Sequence, residues 1–329
     1  MSKFNKIVVI GAGTMGSGIA AHLANSKREV VLLDLKGKET ANQISENAID
    51  IIKKSDPPLL IEKSRLSHIK PGNLTDDFDP IKDADWIIEA VVERIDLKHQ
   101  LYSQIDKVRN SKSIVSSNTS TIPLSVLTEE MSELMKTDFC ITHFFNPVRF
   151  MRLLEIVETP QFDVQKLESL QDFCQNELGK GIVNCNDTPG FIGNRIGVYA
   201  MQVAMYEALE RGLPVEIADA LFGRPLGIPK TGVFGLYDLI GIDLMKDVLA
   251  SFKKELQEDD PFMDVVKPHP IVEQLLDKGY TGNKGLGGFY ETKIADGNEI
   301  TKALNTLDMS YYDFDKVDLP IARRVEKKE

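Results

Sequence analysis

The first half of the chain alternates short apolar runs with amphipathic segments. Five runs have the length of buried strands, and they cover residues 7–10, 30–33, 86–92, 113–117 and 139–143. Between several of these runs the apolar positions recur with a helical period, as over 44–52 and 96–108. Pro71-Gly72, in the middle of this region, indicates a loop. Strands that are apolar on both faces and separated by helices are typical of a parallel sheet covered on each side. The pattern therefore predicts an α/β domain with a mostly parallel, doubly wound sheet.

The pattern becomes helical after residue 186. Before that point, residues 153–157 and 181–185 predict two more strands, with an amphipathic helix over 164–178 between them. Beyond it, helical periodicity covers 191–211, 215–221, 235–256 and 271–278, without a strand signal of comparable strength. We therefore predict a sheet domain over 1–186, a mainly α-helical domain over 187–291, and a polar tail or linker over 292–329 that ends in the charge run 322–329.

The length and the charge of the chain limit the classes of protein and of partner to which it can correspond. A chain of 329 residues exceeds the size of most single cores, which agrees with two domains. Fifty acidic residues against 39 basic ones give a net charge of -11, which argues against a nucleic-acid partner. No apolar run approaches the ~20 residues that cross a bilayer. Three cysteines without CxxC spacing indicate reduced thiols, so we expect a cytoplasmic protein without a membrane partner. Because the chain has few histidines and neither an HExxH nor a CxxC motif, we expect no metal site.

A glycine motif directly follows the first predicted strand and opens a helix. It consists of Gly11, Ala12, Gly13, Thr14, Met15 and Gly16. The next strand ends in Asp34, and this spacing is typical of a Rossmann-like dinucleotide site in which the helix N-terminus receives the phosphates. The Asp34 carboxylate can accept both ribose hydroxyls and would repel a 2′-phosphate, which favours NAD over NADP. The nearby Lys36 keeps NADP open as an alternative.

A histidine and a carboxylate flank a predicted turn. His143 ends the last strong strand of the first domain, and the pair Asn146-Pro147 favours a turn after it. Glu155 follows inside an apolar run, where a carboxylate needs a partner if it is buried. If the turn folds the chain back, Glu155 lies beside His143. An imidazole oriented by a carboxylate is a common general base.

Six motifs together resemble the 3-hydroxyacyl-CoA dehydrogenase family. They are the glycine motif with Asp34, Glu89-Ala90-Val91-Val92-Glu93, Ser117-Asn118-Thr119-Ser120, residues 143–147, Leu154-Glu155, and Asp187-Thr188-Pro189-Gly190-Phe191 with Asn194-Arg195. Their order and approximate spacing fit, and Lys284 with Gly288-Phe289-Tyr290 resembles the end of the family's helical domain. The resemblance covers about residues 5 to 290, and it implies NAD-dependent oxidation of (S)-3-hydroxyacyl-CoA to 3-oxoacyl-CoA in fatty-acid β-oxidation.

The resemblance also implies roles for single residues. His143 would be the general base, and Glu155 would stabilise its imidazolium. Ser120 would form a hydrogen bond near the substrate hydroxyl and the nicotinamide, and Asn194 would help to hold the reacting part of the substrate. Besides the glycine motif and Asp34, the residues expected at the cofactor are Glu93, Lys98, Ser120, Asn146 and Lys284. Lys53 and Lys54 are candidates for the coenzyme A phosphates, although solvated lysines on a helix face are an equal alternative. A homodimer is implied as well.

Alternatives remain open for a fusion partner and for the function. The segment 222–232 is similar to versions of the family that are fused to an enoyl-CoA hydratase, although we expect no hydratase portion in this chain. A dehydrogenase of free hydroxy acids or sugar acids, and a catalytically weak NAD-binding structural protein, are competing functions. The complete set of His143, Glu155, Ser120 and Asn194 argues against the structural protein.

Overall fold

The computed structural model describes residues 4–226, 230–295, 298–315 and 317–320. The chain divides into two compact units, with the division between Gly193 and Asn194. The expected boundary at residue 186 lies a few residues earlier. The segment between the two positions stays with the first unit because the backbone N–H groups of Ile192 and Gly193 donate to Glu155 in the sheet.

The first unit is built on one eight-stranded sheet. Its strands are β1 Lys6–Ile10, β2 Glu29–Asp34, β3 Ile69–Asn73, β4 Trp86–Glu89, β5 Ile114–Ser117, β6 Phe139–Phe144, β7 Leu153–Glu158 and β8 Gly181–Asn184. The order is β3-β2-β1-β4-β5-β6-β7-β8, and only the β6–β7 pair is antiparallel. The predicted doubly wound, mostly parallel sheet is confirmed.

Helices cover both faces of this sheet. They are α1 Thr14–Asn25, α2 Gln43–Lys54, α3 Ile95–Val108, α4 Leu124–Leu127, α5 Glu133–Lys136 and α6 Val164–Asp172, with 3₁₀ turns at Lys63–His68 and Asp79–Asp83. The last part of the helix predicted over 164–178 is a π-helical turn, Phe173–Glu177. Trp86 is fully buried and packs against Phe4, Phe144 and Phe173, so the core continues from the sheet into the helix layer.

Strand β3 corrects an expectation from the sequence. Pro71-Gly72 indicates a loop, yet these residues lie inside β3. The strand is at the edge of the sheet and pairs only with β2. A proline can occupy an edge strand because a residue there has one side without a ladder partner.

The second unit begins as a helical domain. Its helices are α7 Gly193–Glu210, α8 Val215–Leu221, α9 Phe234–Ile240, α10 Ile242–Glu255 and α11 Pro270–Asp277, with 3₁₀ turns at Arg224–Leu226 and Pro261–Asp264. The single helix predicted over 235–256 is two helices, because Gly241 has a φ of 109° and breaks the helical path. Among the described residues, no helix has both the length and the apolar character needed to cross a membrane.

Residues 292–295 and 298–313 are not a tail, which corrects the expectation from their polar sequence. Strands β9 Tyr290–Ala295, β10 Asn298–Leu304 and β11 Tyr311–Asp313 form an antiparallel sheet. Ala303 and Leu304 are buried in the core of the second unit. The strand signal was weak because many of the remaining side chains of β9 and β10 are polar. The charged end, residues 322–329, lies outside the described residues.

Candidate active site

The glycine turn lies where the strand order of the sheet reverses, between β1 and β4. Gly11 has a φ of 105°, and a Cβ atom on it would lie 2.4 Å from the carbonyl oxygen of Ala90. A Cβ atom on Gly16 would lie 1.7 Å from the carbonyl oxygen of Gly11. Side chains are therefore excluded at both positions. This reversal of strand order is where open α/β sheets bind their ligands.

The turn fits a dinucleotide. A Cβ atom on Gly13 would meet no atom within 4 Å, so a phosphate can approach the backbone there. The Asp34 carboxylate accepts hydrogen bonds from the N–H groups of Ala12, at 2.5 Å, and Leu35, at 2.6 Å. It thereby connects the end of β2 to the turn and keeps acceptor capacity for ribose hydroxyls. Lys36, the residue that left NADP open, forms an ion pair with Asp76 at 2.9 Å.

His143 and Glu155 form a buried pair. The antiparallel register of β6 and β7 sets them directly opposite each other. The His143 Nδ1 atom lies 2.7 Å from Glu155 Oε2, and the two residues are 5% and 0% exposed. With Glu155 ionised, Nδ1 carries the proton, so the Nε2 lone pair of a neutral ring is available for a substrate.

The other carboxylate oxygen of Glu155 also has hydrogen-bond donors. Glu155 Oε1 accepts hydrogen bonds from the N–H groups of Ile192, at 2.9 Å, and Gly193, at 2.6 Å. Burial raises the pKa of Glu155, but the hydrogen bonds from His143 and these two N–H groups outweigh burial and hold the pKa below its ordinary value. The carboxylate is therefore ionised at neutral pH. The N–H donors come from the segment after Pro189, and the sequence pattern did not indicate this connection.

Aromatic rings enclose the imidazole. The ring centroid of Phe145 lies 4.4 Å from that of His143, and the ring centroid of Phe191 lies at 5.7 Å. Phe191 belongs to the motif that follows Asp187, but the sequence indicated only a helix there. The two packed rings restrict rotation of the imidazole.

A second buried carboxylate, Glu89, was missed as a functional element because its partners lie on other elements, 9 to 28 residues away in the sequence. It ends β4 and accepts hydrogen bonds from Lys98 Nζ at 2.6 Å, the Tyr102 hydroxyl at 2.5 Å, and the Ser117 hydroxyl at 2.7 Å. Lys98 is 1% exposed and also lies 3.3 Å from Glu93 Oε2. Lys98, expected near the cofactor ribose, is thus oriented by two carboxylates.

Glu93 connects this network to Ser120. Its Oε1 atom accepts hydrogen bonds from the Thr119 hydroxyl and the Ser120 N–H, both at 3.0 Å. Ser120 is half-buried just beyond β5, and Asn146 is exposed on the loop between β6 and β7. Strands β4, β5 and β6 are parallel, so the residues at their carboxyl ends share one edge of the sheet with the glycine turn.

The remaining candidates lie elsewhere on the chain. Lys53 and Lys54 are exposed in the last turn of α2. Asn194 is half-buried in the first turn of α7, in the second unit. Lys284 belongs to the same unit and forms an ion pair with Asp243 at 2.7 Å. In the described part of the chain, no three histidine, cysteine or acidic side chains are grouped so that they could hold a metal ion.

Comparisons with known proteins agree with this architecture. Residues 6–188 match the family model of the NAD binding domain of 3-hydroxyacyl-CoA dehydrogenase, and residues 190–292 match that of its C-terminal domain. A probable 3-hydroxyacyl-CoA dehydrogenase of Deinococcus radiodurans is 37% identical over 291 residues, which are 88% of this chain and 83% of that protein. The structure of 3-hydroxybutyryl-CoA dehydrogenase from Escherichia coli matches with a TM-score of 0.73 and 29% identity, over 88% of this chain and 60% of that one.

Some relatives are much longer than this chain. A putative fatty acid oxidation complex trifunctional enzyme of Rickettsia felis is 40% identical over 320 residues, which are 97% of this chain. The match covers 44% of the Rickettsia protein, so the chain spans less than half the length of that relative. The two matching family models together cover most of the sequence. The chain belongs to the 3-hydroxyacyl-CoA dehydrogenase family.

Proposed function

We propose that this chain is an NAD-dependent dehydrogenase that oxidises (S)-3-hydroxyacyl-CoA to 3-oxoacyl-CoA. The observation that carries the proposal is the buried pair of His143 and Glu155 at the same sheet edge as the glycine turn and Asp34. Family membership, and relatives named as 3-hydroxyacyl-CoA and 3-hydroxybutyryl-CoA dehydrogenases, support the substrate class.

His143 is the proposed general base. Its Nε2 atom takes the proton of the 3-hydroxyl group while the C3–O bond becomes a carbonyl. Bound NAD supplies the acceptor for the hydride that leaves C3. The imidazolium formed at His143 is stabilised by the Glu155 carboxylate, which stays ionised through its own two backbone donors. In the reverse direction the protonated ring returns the proton to the 3-oxygen.

The cofactor would be held by the glycine motif, Asp34, Glu93, Ser120 and Asn146. We assign Lys98 an indirect role, because its ammonium group lies between Glu89 and Glu93 and so orients Glu93. For the second unit we propose that Asn194 contacts the substrate and that Lys284 reaches the cofactor. Contact of Lys53 and Lys54 with coenzyme A, a homodimeric state and a cytoplasmic location are part of the same proposal.

A coupled assay tests this function. We expect NADH-dependent reduction of acetoacetyl-CoA and little reduction of free acetoacetate, because only the thioester carries the coenzyme A moiety. NADPH should be a poor substitute, since its 2′-phosphate would meet the Asp34 carboxylate. Reduction of the free acid alone would favour a hydroxy-acid dehydrogenase, and NADH binding without turnover of either substrate would favour a structural protein.

A further inference from the structure

The loop between β6 and β7, residues 145–152, is held by a buried lysine outside the pair of His143 and Glu155. Lys180 lies just before β8 and is 3% exposed. Its Nζ atom donates hydrogen bonds to the carbonyl oxygens of Val148, at 2.5 Å, and Met151, at 2.8 Å. The two acceptors lie in the middle and near the end of the loop, so a single side chain holds the loop at two points.

The ammonium group of Lys180 is surrounded by groups that attract a cation. Besides the two carbonyls, the Phe144 ring lies beneath it, with its centroid 5.6 Å from Nζ. Phe144 directly follows His143. Burial lowers the pKa of Lys180 to about 8, which reflects the cost of removing an ammonium group from water. A lysine in such a place must be compensated by the contacts that it makes.

The same loop packs against the dinucleotide helix. Val148 is fully buried, and a Cβ atom placed on Gly18 in α1 would lie 3.0 Å from Val148 Cγ2. The valine is therefore in close contact with α1, two residues beyond the last glycine of the motif. Lys180 holds the carbonyl group of the same Val148. The loop is thus fixed between Lys180 and Gly18.

We propose that Lys180 is a positioning residue that sets the distance between the loop carrying Asn146 and the phosphate-binding end of α1. Through Phe145, which packs on His143, the same loop also limits the orientation of the imidazole. The proposal rests on the proposed function for its effect on turnover. Its effect on cofactor binding does not depend on the identity of the substrate.

The first test replaces Lys180 by a side chain of similar length without hydrogen-bond donors. In K180M we expect the Kd for NADH, measured by fluorescence titration, to rise about tenfold, the effect of losing about 1.4 kcal/mol of binding. We expect kcat with acetoacetyl-CoA to fall about 10- to 100-fold, because a misplacement of about 1 Å can cost about 10²-fold.

Lys166 provides the matched control. Its Nζ atom also donates to a backbone carbonyl, that of Ser111, and it binds Asp138 at the other end of β6. In K166M we expect a loss of thermal stability but an unchanged Kd for NADH and an unchanged kcat. If K180M lost only stability, as K166M is expected to, the positioning role would be refuted.

A second test leaves the buried lysine in place and remains decisive if K180M does not fold. Gly18→Ala suits a helix and pushes directly on Val148. We expect G18A to weaken NADH binding several-fold, and the double variant G18A/V148A to restore it because the smaller side chain makes room. NADH binding by G18A equal to that of the wild type, or a loss that V148A does not reverse, would overturn the proposal.

These readouts separate the two proposals. If the wild-type chain binds NADH but does not turn over acetoacetyl-CoA, the proposed function fails. The effect of K180M and of the G18A pair on the Kd for NADH still tests the role of Lys180. If turnover is present and the Kd is unaffected by any of these variants, the proposed function stands and the role of Lys180 is rejected.

Discussion

Both units bury carboxylates, but the net pKa shifts of these carboxylates have opposite signs. Glu155 in the first unit and Asp238 in the second each accept hydrogen bonds from two backbone N–H groups. The pKa of Glu155 ends below its ordinary value, whereas burial raises the pKa of Asp238 to about 7. The two sites differ in their remaining partners, and the negative charge of Asp219 helps to raise the pKa of Asp238. Glu155 also has the imidazole of His143, which can carry a positive charge.

Asp219 follows the pattern of Asp238. It accepts hydrogen bonds from the N–H groups of Phe234 and Gly235 and from the hydroxyl of Tyr290, and burial raises its pKa to about 6. Asp238 binds the N–H groups of Phe289 and Tyr290. Both carboxylates therefore connect helices α8 and α9 to the start of β9. Backbone and hydroxyl donors thus leave the pKa of Asp219 and Asp238 raised, whereas at Glu155 the hydrogen bond from His143 together with two backbone donors brings the pKa below its ordinary value.

Removal of the ionisable partner should have the largest effect. We expect His143→Ala to lower kcat about 10²- to 10⁴-fold, the usual range for a general acid–base group. Steady-state kinetics with acetoacetyl-CoA and NADH would measure it. The Kd for NADH should change little, and near-wild-type turnover would remove His143 from the mechanism.

Glu89 is a third buried carboxylate, and it forms an ion pair with Lys98. Lys98→Met leaves this carboxylate without its ammonium partner, and we expect a loss of about 3–5 kcal/mol in the free energy of unfolding. The single tryptophan, Trp86, lies in the first unit, so its fluorescence during urea unfolding reports on that unit. Lys107→Met, at an exposed position of the same helix, should change stability by no more than about 0.5 kcal/mol. Equal stabilities for the two variants would contradict the assignment.

Glu155→Gln tests the charge of the pair with little change of shape. We expect kcat to fall about 10²-fold, because the neutral amide no longer stabilises the imidazolium. Steady-state kinetics with acetoacetyl-CoA and NADH would measure kcat, and an unchanged rate would show that the pairing has no catalytic role.

The smallest effect is expected at Asp238. Its folded-state pKa is raised to about 7, so its contribution to stability is complete below the ordinary pKa near 3.8 and is lost as the pH rises through about 7. The second unit should therefore be more stable at pH 5 than at pH 8. In Asp238→Asn this difference should shrink by about 1–2 kcal/mol.

Near-ultraviolet circular dichroism during thermal unfolding at the two pH values would follow this change. Asp247→Asn, at an exposed position on α10, is the control and should keep the pH dependence of the wild type. A pH dependence in D238N equal to that of the wild type would mean that Asp238 is ionised in the folded chain at both pH values.

Strong local patterns predicted the first unit better than the second. The β1 strand, the glycine turn and the following helix lie within 25 residues, and their apolar runs are continuous. The sheet over β9–β11 was missed because, among the side chains that the structure describes in these strands, only Ala303 and Leu304 are buried, and the sequence there is largely polar. Strand β3 was missed because Pro71 indicates the end of a strand. Proline is excluded from central strands, but an edge strand such as β3 can contain it.

The sequence by itself determined the glycine turn and its acidic partner at the end of β2, because both depend on backbone sterics and a fixed spacing. It also indicated that His143 and Glu155 could meet, since a short turn separates their strands. Only the tertiary structure decided the donors to Glu155, the network at Glu89 and the contacts of Lys180. Each of these joins segments that are far apart in the chain, and which of them meet depends on the packing of the whole unit.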